Sequence, residues 1–234
     1  MTRLCITPHR RLAKFRDDQH GGAMIELAMC VSLFLAMVFA IFDFGRMGSD
    51  YVMTEKALQT ASRIAAVRPN ACNGVVLPEF HDRAVVPTGV TPPRYGTTCR
   101  SDVYACGDPG PRWCVGDVTN PTFAEIWREI GPVMPGYAEP RDIRITYSFD
   151  PNLGFLGGPY TPMVTVELAG TDPSQMLSAN NPPALRFQYI HPLGGLIGVV
   201  TGNGADLGDA NGEIPFPPMS VSLPAEDLNQ GTAG

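Results

Sequence analysis

The sequence predicts an α+β fold: one long N-terminal helix, half suited to a membrane and half amphipathic, packed on a small antiparallel sheet. Three observations predict it. A helix-compatible pattern runs unbroken from Gly22 to Arg68, where Pro69 stops it. Short segments in the second half alternate apolar and polar residues with the period of a strand. Between them lies a Pro- and Gly-rich stretch holding four of the six cysteines.

The helix begins in a setting suited to lipid. Leu27 to Phe42 is sixteen residues without a charge, and Ala23 to Phe42 is twenty, enough to span roughly 30 Å of hydrocarbon. A secretory signal peptide fits less well. Its apolar region is shorter, roughly 7–15 residues, and Asp43-Phe44-Gly45-Arg46 is a poor cleavage site. Residues 1–21 form a basic leader, with Arg3, Arg10, Arg11, Lys14 and Arg16 against Asp17 and Asp18. That excess places the N-terminus in the cytoplasm and exports the rest. Glu26 interrupts the apolar pattern. A carboxylate there either reaches back to water at the headgroup boundary or has a partner. Cleavage between Gly21 and Gly22 would supply one: Glu26 becomes the fifth residue, one helical turn from a new α-amino group.

Beyond the apolar run, Met47, Tyr51, Thr54, Leu58, Ala61 and Ala65 recur at spacings of 4, 3, 4, 3 and 4. Glu55, Lys56, Gln59, Ser62 and Arg63 are placed on other faces, and Ala57, Ala61, Ala65 and Ala66 are small enough for close approach. The 47 residues from Gly22 to Arg68 make a helix of about 70 Å. Half must therefore lie in lipid or against partner helices. The chain divides into a leader (1–21), a transmembrane and amphipathic helix (22–68) and an exported, loop-rich α+β domain (69–234).

In that domain, residues 70–120 read as loops. A short helix is signalled at Phe123–Ile130, with Thr122 and Glu125 as a capping box, Phe123, Ile126, Trp127 and Ile130 on one face, and Gly131 at its end. Four strand candidates follow: "DIRITYSF", "MVTVEL", "LRFQY" and the shorter "MSVSL". Ile143, Ile145, Tyr147 and Phe149 share one face of the first, Val164, Val166 and Leu168 one face of the second, and Leu185, Phe187 and Tyr189 one face of the third. A sheet with a single buried face results, and the long helix can cover it.

Charge and cysteines narrow the function. The leader takes five of the 17 basic and two of the 23 acidic residues, leaving 12 against 21 elsewhere, a net of −9. A body this acidic argues against nucleic acid as a partner. Cys72, Cys99, Cys106 and Cys114 all lie beyond the membrane segment and predict two disulfides in an oxidising compartment. A zinc site is the rival, but the intervals of 26, 6 and 7 residues contain no C-x2-4-C pair. Four cysteines allow three pairings, and the nearest-neighbour one, Cys106–Cys114 with Cys72–Cys99, is the expectation. Cys30 stays reduced in the membrane and Cys5 leaves with the leader.

The chain has no H-E-x-x-H, G-x-S-x-G or phosphate-binding glycine loop. His81 and Asp82 near Cys72 suggest a thiol–imidazole pair, but disulfides are the better use of those cysteines. "TGNGADLGDANGE" places Asp209, Asn211 and Glu213 at alternate positions yet fails the calcium-loop pattern. "HPLGGLIGVV" is apolar but too short to span a membrane. No enzyme activity, metal or cofactor is expected.

The stretches "RDDQHGGAMIELAM" and "FAIFDFGRMGSDYVMTEKALQTASRIAAVR" resemble the TadE/TadF-like proteins of the tight-adherence (Tad/Flp) pilus system, a branch of the type IV pilin superfamily. Gly21, Glu26, Asp43-Phe44-Gly45-Arg46, Ala57-Leu58-Gln59 and Ala61-Ser62-Arg63 fit the pattern, and Leu27 departs from it where an aromatic residue is usual. The resemblance implies a pilin-like fold and a minor pilin or pseudopilin acting in pilus assembly. It further implies cleavage at Gly21-Gly22 by a prepilin peptidase, and Glu26 as the residue that pairs with the processed N-terminus. The implied partners are the inner membrane, other pilins or pseudopilins and the assembly platform, with the C-terminal domain in the periplasm. The alternative is an unprocessed single-pass receptor or periplasmic binding module.

Overall fold

A computed structural model describes residues 22–169, 185–188 and 213–226. The leader with Gly21 and Cys5, Tyr189, "HPLGGLIGVV" and all but Glu213 of the acidic loop lie outside them.

Helix α1, Gly22–Val67, is continuous over 46 residues, about 70 Å. No proline interrupts it, and its glycines (Gly22, Gly45, Gly48) have open space around them. It closes with Arg68 N–H donating to the Ile64 carbonyl at 3.1 Å, after which Pro69 has no N–H to continue. Its first half is bare: the most apolar 18-residue window is 0% buried, and the helix is long and apolar enough to cross a membrane. Its second half buries Thr54, Ala57, Leu58, Ala61, Ser62, Ala65 and Ala66. This differs from the predicted stripe at two positions. Ser62, assigned to an outer face, is fully buried, whereas Tyr51, assigned to the packed face, is exposed. Small side chains bring the helix in closely over a broad face, and the buried hydroxyls bond to their own helix. Thr54 Oγ1 donates to the Asp50 carbonyl at 2.7 Å and Ser62 Oγ to that of Gln59 at 2.9 Å.

The main sheet contains β1 (Arg112–Val115), β2 (Ile143–Ser148), β3 (Met163–Leu168) and β6 (Ser220–Pro224), in that spatial order. All its neighbours are antiparallel. The alternation read from β2 and β3 holds in register: Ile143 opposes Leu168, Ile145 opposes Val166 and Tyr147 opposes Val164. All six are fully buried, in one core with the packed face of α1 and with helix α2, Pro121–Ile130. On the other face Arg144 lies opposite Glu167, and its Nε donates to the carboxylate at 2.7 Å. One sheet thus buries apolar pairs on one side and carries an ion pair on the other.

Three expectations need correction. β1 falls in the stretch read as loop, because four residues between Pro111 and Gly116 show no alternation. "LRFQY" does not join the main sheet: β4 (Arg186–Gln188) pairs instead with β5 (Glu213–Pro215), although Leu185 and Phe187 still enter the common core. Helix α2 begins before the expected start. Asn120 is its N-cap and accepts from Phe123 N–H at 3.1 Å, so Thr122 sits inside the helix and no Thr122–Glu125 capping box forms. Pro121 takes the first position, where its missing N–H leaves nothing unsatisfied.

The link from α1 into the domain depends on close contacts. Tyr147 is fully buried and its hydroxyl accepts from Ala71 N–H at 3.0 Å. Gly116 has no room for a side chain, since a Cβ there would collide with the Phe123 ring and the Pro140 carbonyl. Cys72 bonds to Cys114, and Cys99 to Cys106. Two bridges are present, but the nearest-neighbour pairing is incorrect. β1 carries Cys114 to the sheet edge beside the end of α1, which sequence distance does not reveal.

Candidate functional site

Of the sequence-predicted site residues within the described chain, Gly22 and Glu26 lie on α1 and the four bridged cysteines lie beyond it; α1 itself is organised along its axis in three levels. At the first, Gly22 opens the described helix, and Glu26 stands one turn further on, exposed among Met24, Ile25, Leu27 and Met29, which are exposed too. Cys30 is a free thiol, also exposed. Ser32 hides its hydroxyl by donating to the Ala28 carbonyl at 2.7 Å, so this surface presents almost only apolar atoms apart from the Glu26 carboxylate.

The second level is the Asp43–Asp50 segment, where the helix meets the domain. Asp43 is 1% exposed. Arg46, half-buried, lays its guanidinium over the Phe187 ring, 4.9 Å from the centroid. Asp50 accepts a hydrogen bond from the Tyr137 hydroxyl at 3.1 Å. Burial, followed by the Asp50 charge, pushes the Tyr137 pKa far up, so the phenol remains a donor at any physiological pH. Residues 43, 46 and 50 are three and four apart and share one side of the helix. Phe44, on another side, stays exposed. The Asp-Phe-Gly-Arg sequence thereby acquires a physical meaning: its two charged members lie against the domain, and its aromatic member remains outside.

The third level is the packed half of α1. Its end is held by Arg68, whose Nη2 donates to Glu125 of α2 at 2.9 Å. The next residue, Ile126, turns into the core, and the helix pair closes over the sheet.

His81 lies elsewhere, beside a small separate core formed by Cys99, Ala105, Cys106 and Leu156, with Phe149 against it. The cysteines gathered with it are Cys99 and Cys106: one of its ring nitrogens and both sulfurs of that bridge lie within 4.8 Å of one another. Thr161 N–H donates to His81 Nε2 at 3.3 Å. Phe149 and Tyr160 meet the ring edge-on, with centroids 6.1 and 5.2 Å away. Burial lowers its pKa below the usual imidazole value. Gly154, at φ +77°, permits this packing, since a Cβ would strike the imidazole. Neither this group nor the Tyr137–Asp50 bond was legible in the sequence, because both join residues far apart in the chain.

The family model of the TadE-like proteins matches residues 21–63. No curated protein and no solved structure matches the chain significantly. The matched residues include Glu26, the whole Asp43–Arg46 motif and most of the packed half, and end one turn before α1 does. Over residues 21–63, most of its long N-terminal helix, the chain is similar to the TadE-like proteins.

Proposed function

We propose that the protein is a non-enzymatic minor pilin or pseudopilin acting in assembly of a Tad-type adhesion pilus. The apolar half of α1 resides in the inner membrane, the N-terminus faces the cytoplasm, and the domain from residue 69 onward occupies the periplasm. A prepilin peptidase cuts between Gly21 and Gly22, and Glu26 then pairs with the new α-amino group of its own or a neighbouring subunit. In the bilayer or among packed helices, that amine is the counter-charge that an otherwise isolated carboxylate needs.

One observation carries this reading: within the TadE-like match, Glu26 stands one turn from Gly22 on a bare apolar helix that is continuous with the domain. The two disulfides are consistent with an oxidising compartment.

The test is the intact mass of the chain purified from membranes of cells with and without a prepilin peptidase. With the peptidase the mature chain is expected to begin at Gly22, and Gly21→Leu is expected to block the cut. A chain retaining its leader in both strains overturns the processing step and leaves the unprocessed single-pass receptor as the better reading.

A further inference from the structure

The Cys99–Cys106 bridge and His81 offer chemistry that the proposed role of α1 does not use. His81, Cys99 and Cys106 are 2%, 5% and 6% exposed, and their ligand atoms lie within 4.8 Å of one another. Thr161 occupies the neighbourhood of Nε2, through its N–H at 3.3 Å and its hydroxyl at 3.4 Å. Nδ1 is buried and has no hydrogen-bond partner among the described residues. A buried ring nitrogen left unpaired is costly, and calls for an explanation in what else it can bind. Among the described residues, no other His, Cys, Asp or Glu trio is so gathered; the Cys72–Cys114 bridge has no such companion.

We propose that opening the Cys99–Cys106 bridge creates a zinc site, with His81 and the two cysteine thiolates as its ligands. The bridge takes up two electrons and two protons to give two thiols; a dithiol reductant supplies the electrons and leaves as its own disulfide. Zn2+ then displaces both thiol protons, accepts a lone pair from one imidazole nitrogen and keeps a fourth position for water. Disulfide and metal are mutually exclusive states of the same three side chains.

The geometry suits the exchange. The two Cα atoms are 5.1 Å apart, and two sulfurs on one zinc are roughly 3.7 Å apart, a distance that side-chain rotation can reach. Only seven positions separate the cysteines, so opening the bridge frees a short loop and leaves the larger core untouched. Access comes from an adjoining cleft of about 180 Å³, lined by His81, Gly107, Asp108 and Tyr160 among others. A donor set of two thiolates and an imidazole selects zinc over the hard cations magnesium and calcium.

The test uses the full chain in detergent micelles, reduced anaerobically with a phosphine, with Co2+ as the optical probe. One equivalent of Co2+ is expected to bind with thiolate-to-metal absorption, Zn2+ to displace it, and the oxidised chain to bind none. Cys30→Ser and Cys72→Ala/Cys114→Ala should retain the signal, Cys99→Ser/Cys106→Ser should abolish it, and His81→Asn should weaken binding at least tenfold. A second measurement does not depend on full reduction. Under graded reduction that leaves Cys72–Cys114 closed, zinc should protect Cys99 and Cys106 from alkylation, as read by peptide mass. Equal alkylation with and without zinc overturns the proposal. So does a cobalt signal that survives in Cys99→Ser/Cys106→Ser, or His81→Asn binding with unchanged affinity.

Discussion

The two halves of α1 are one helix facing two surroundings. From Gly22 to Phe42 its large apolar side chains point outward, and Leu33 is 77% exposed. From Thr54 to Ala66 the inward side chains are small, and Leu58 is the one large member of the buried set. The same backbone is thus decorated for lipid or partner helices in one half and for close contact with a sheet in the other. An apolar helix need not be a buried one. What decides is whether its large residues surround it or its small ones form a stripe.

The sharpest way to break the comparison is to alter Glu26. If that half works through pairing with an amine, Glu26→Gln should leave domain unfolding unchanged yet abolish assembly. Loss of one member of a desolvated ion pair costs about 3–5 kcal/mol, and recovery of pili by shearing reports whether assembly survives. Normal piliation at normal protein level would reduce this half to a plain anchor. Leu58→Ala should destabilise the domain by about 2–5 kcal/mol, whereas Leu33→Ala should leave it within about 0.5 kcal/mol. Chemical unfolding followed by Trp113 and Trp127 fluorescence separates the two, and equal effects would erase the distinction.

The bridges sharpen the same contrast within the domain. Replacing both members of Cys72–Cys114, which closes 42 positions, by alanine should cost roughly 4 kcal/mol, and of Cys99–Cys106, which closes 7, roughly 2 kcal/mol, on loop-closure arithmetic. Tyr147→Phe leaves Ala71 N–H buried without its acceptor, an expected loss of about 1–3 kcal/mol in unfolding midpoint experiments. The smallest effect belongs to Arg68→Ala. Its ion pair with Glu125 is half-exposed, so a double-mutant cycle should return about 1 kcal/mol or less, shrinking with added salt.

Sequence legibility followed the range of the interaction. α1 was readable because forty-six residues without proline repeat a local pattern, and β2 and β3 because Ile143, Ile145, Val164 and Val166 alternate. Ser62 misled because a serine that bonds to its own helix is an acceptable core residue. Asn120-Pro121 is a good helix start, masked by the capping-box pattern that Thr122 offers two residues later. β1, the pairing of β4 with β5, the connectivity of the cysteines and the neighbours of His81 depend on which distant segments meet. Local periodicity carries no signal for that. Glu26 is legible as an anomaly, and the role proposed for it comes from resemblance.

The Asp43–Asp50 segment has a mechanical consequence. Ala23 to Phe42 is twenty residues, a rise of about 30 Å, close to the thickness of a bilayer's hydrocarbon core. In a bilayer, the charges at Asp43, Arg46 and Asp50, all on one side of the helix, would act as a stop, since the domain fastened there could not sink toward the hydrocarbon without dragging those groups into lipid. Because α1 passes through this segment without a proline or break, axial force on its apolar half reaches the sheet directly. In that setting the chain would behave like a piston rod whose stroke ends where the charged segment meets the headgroups.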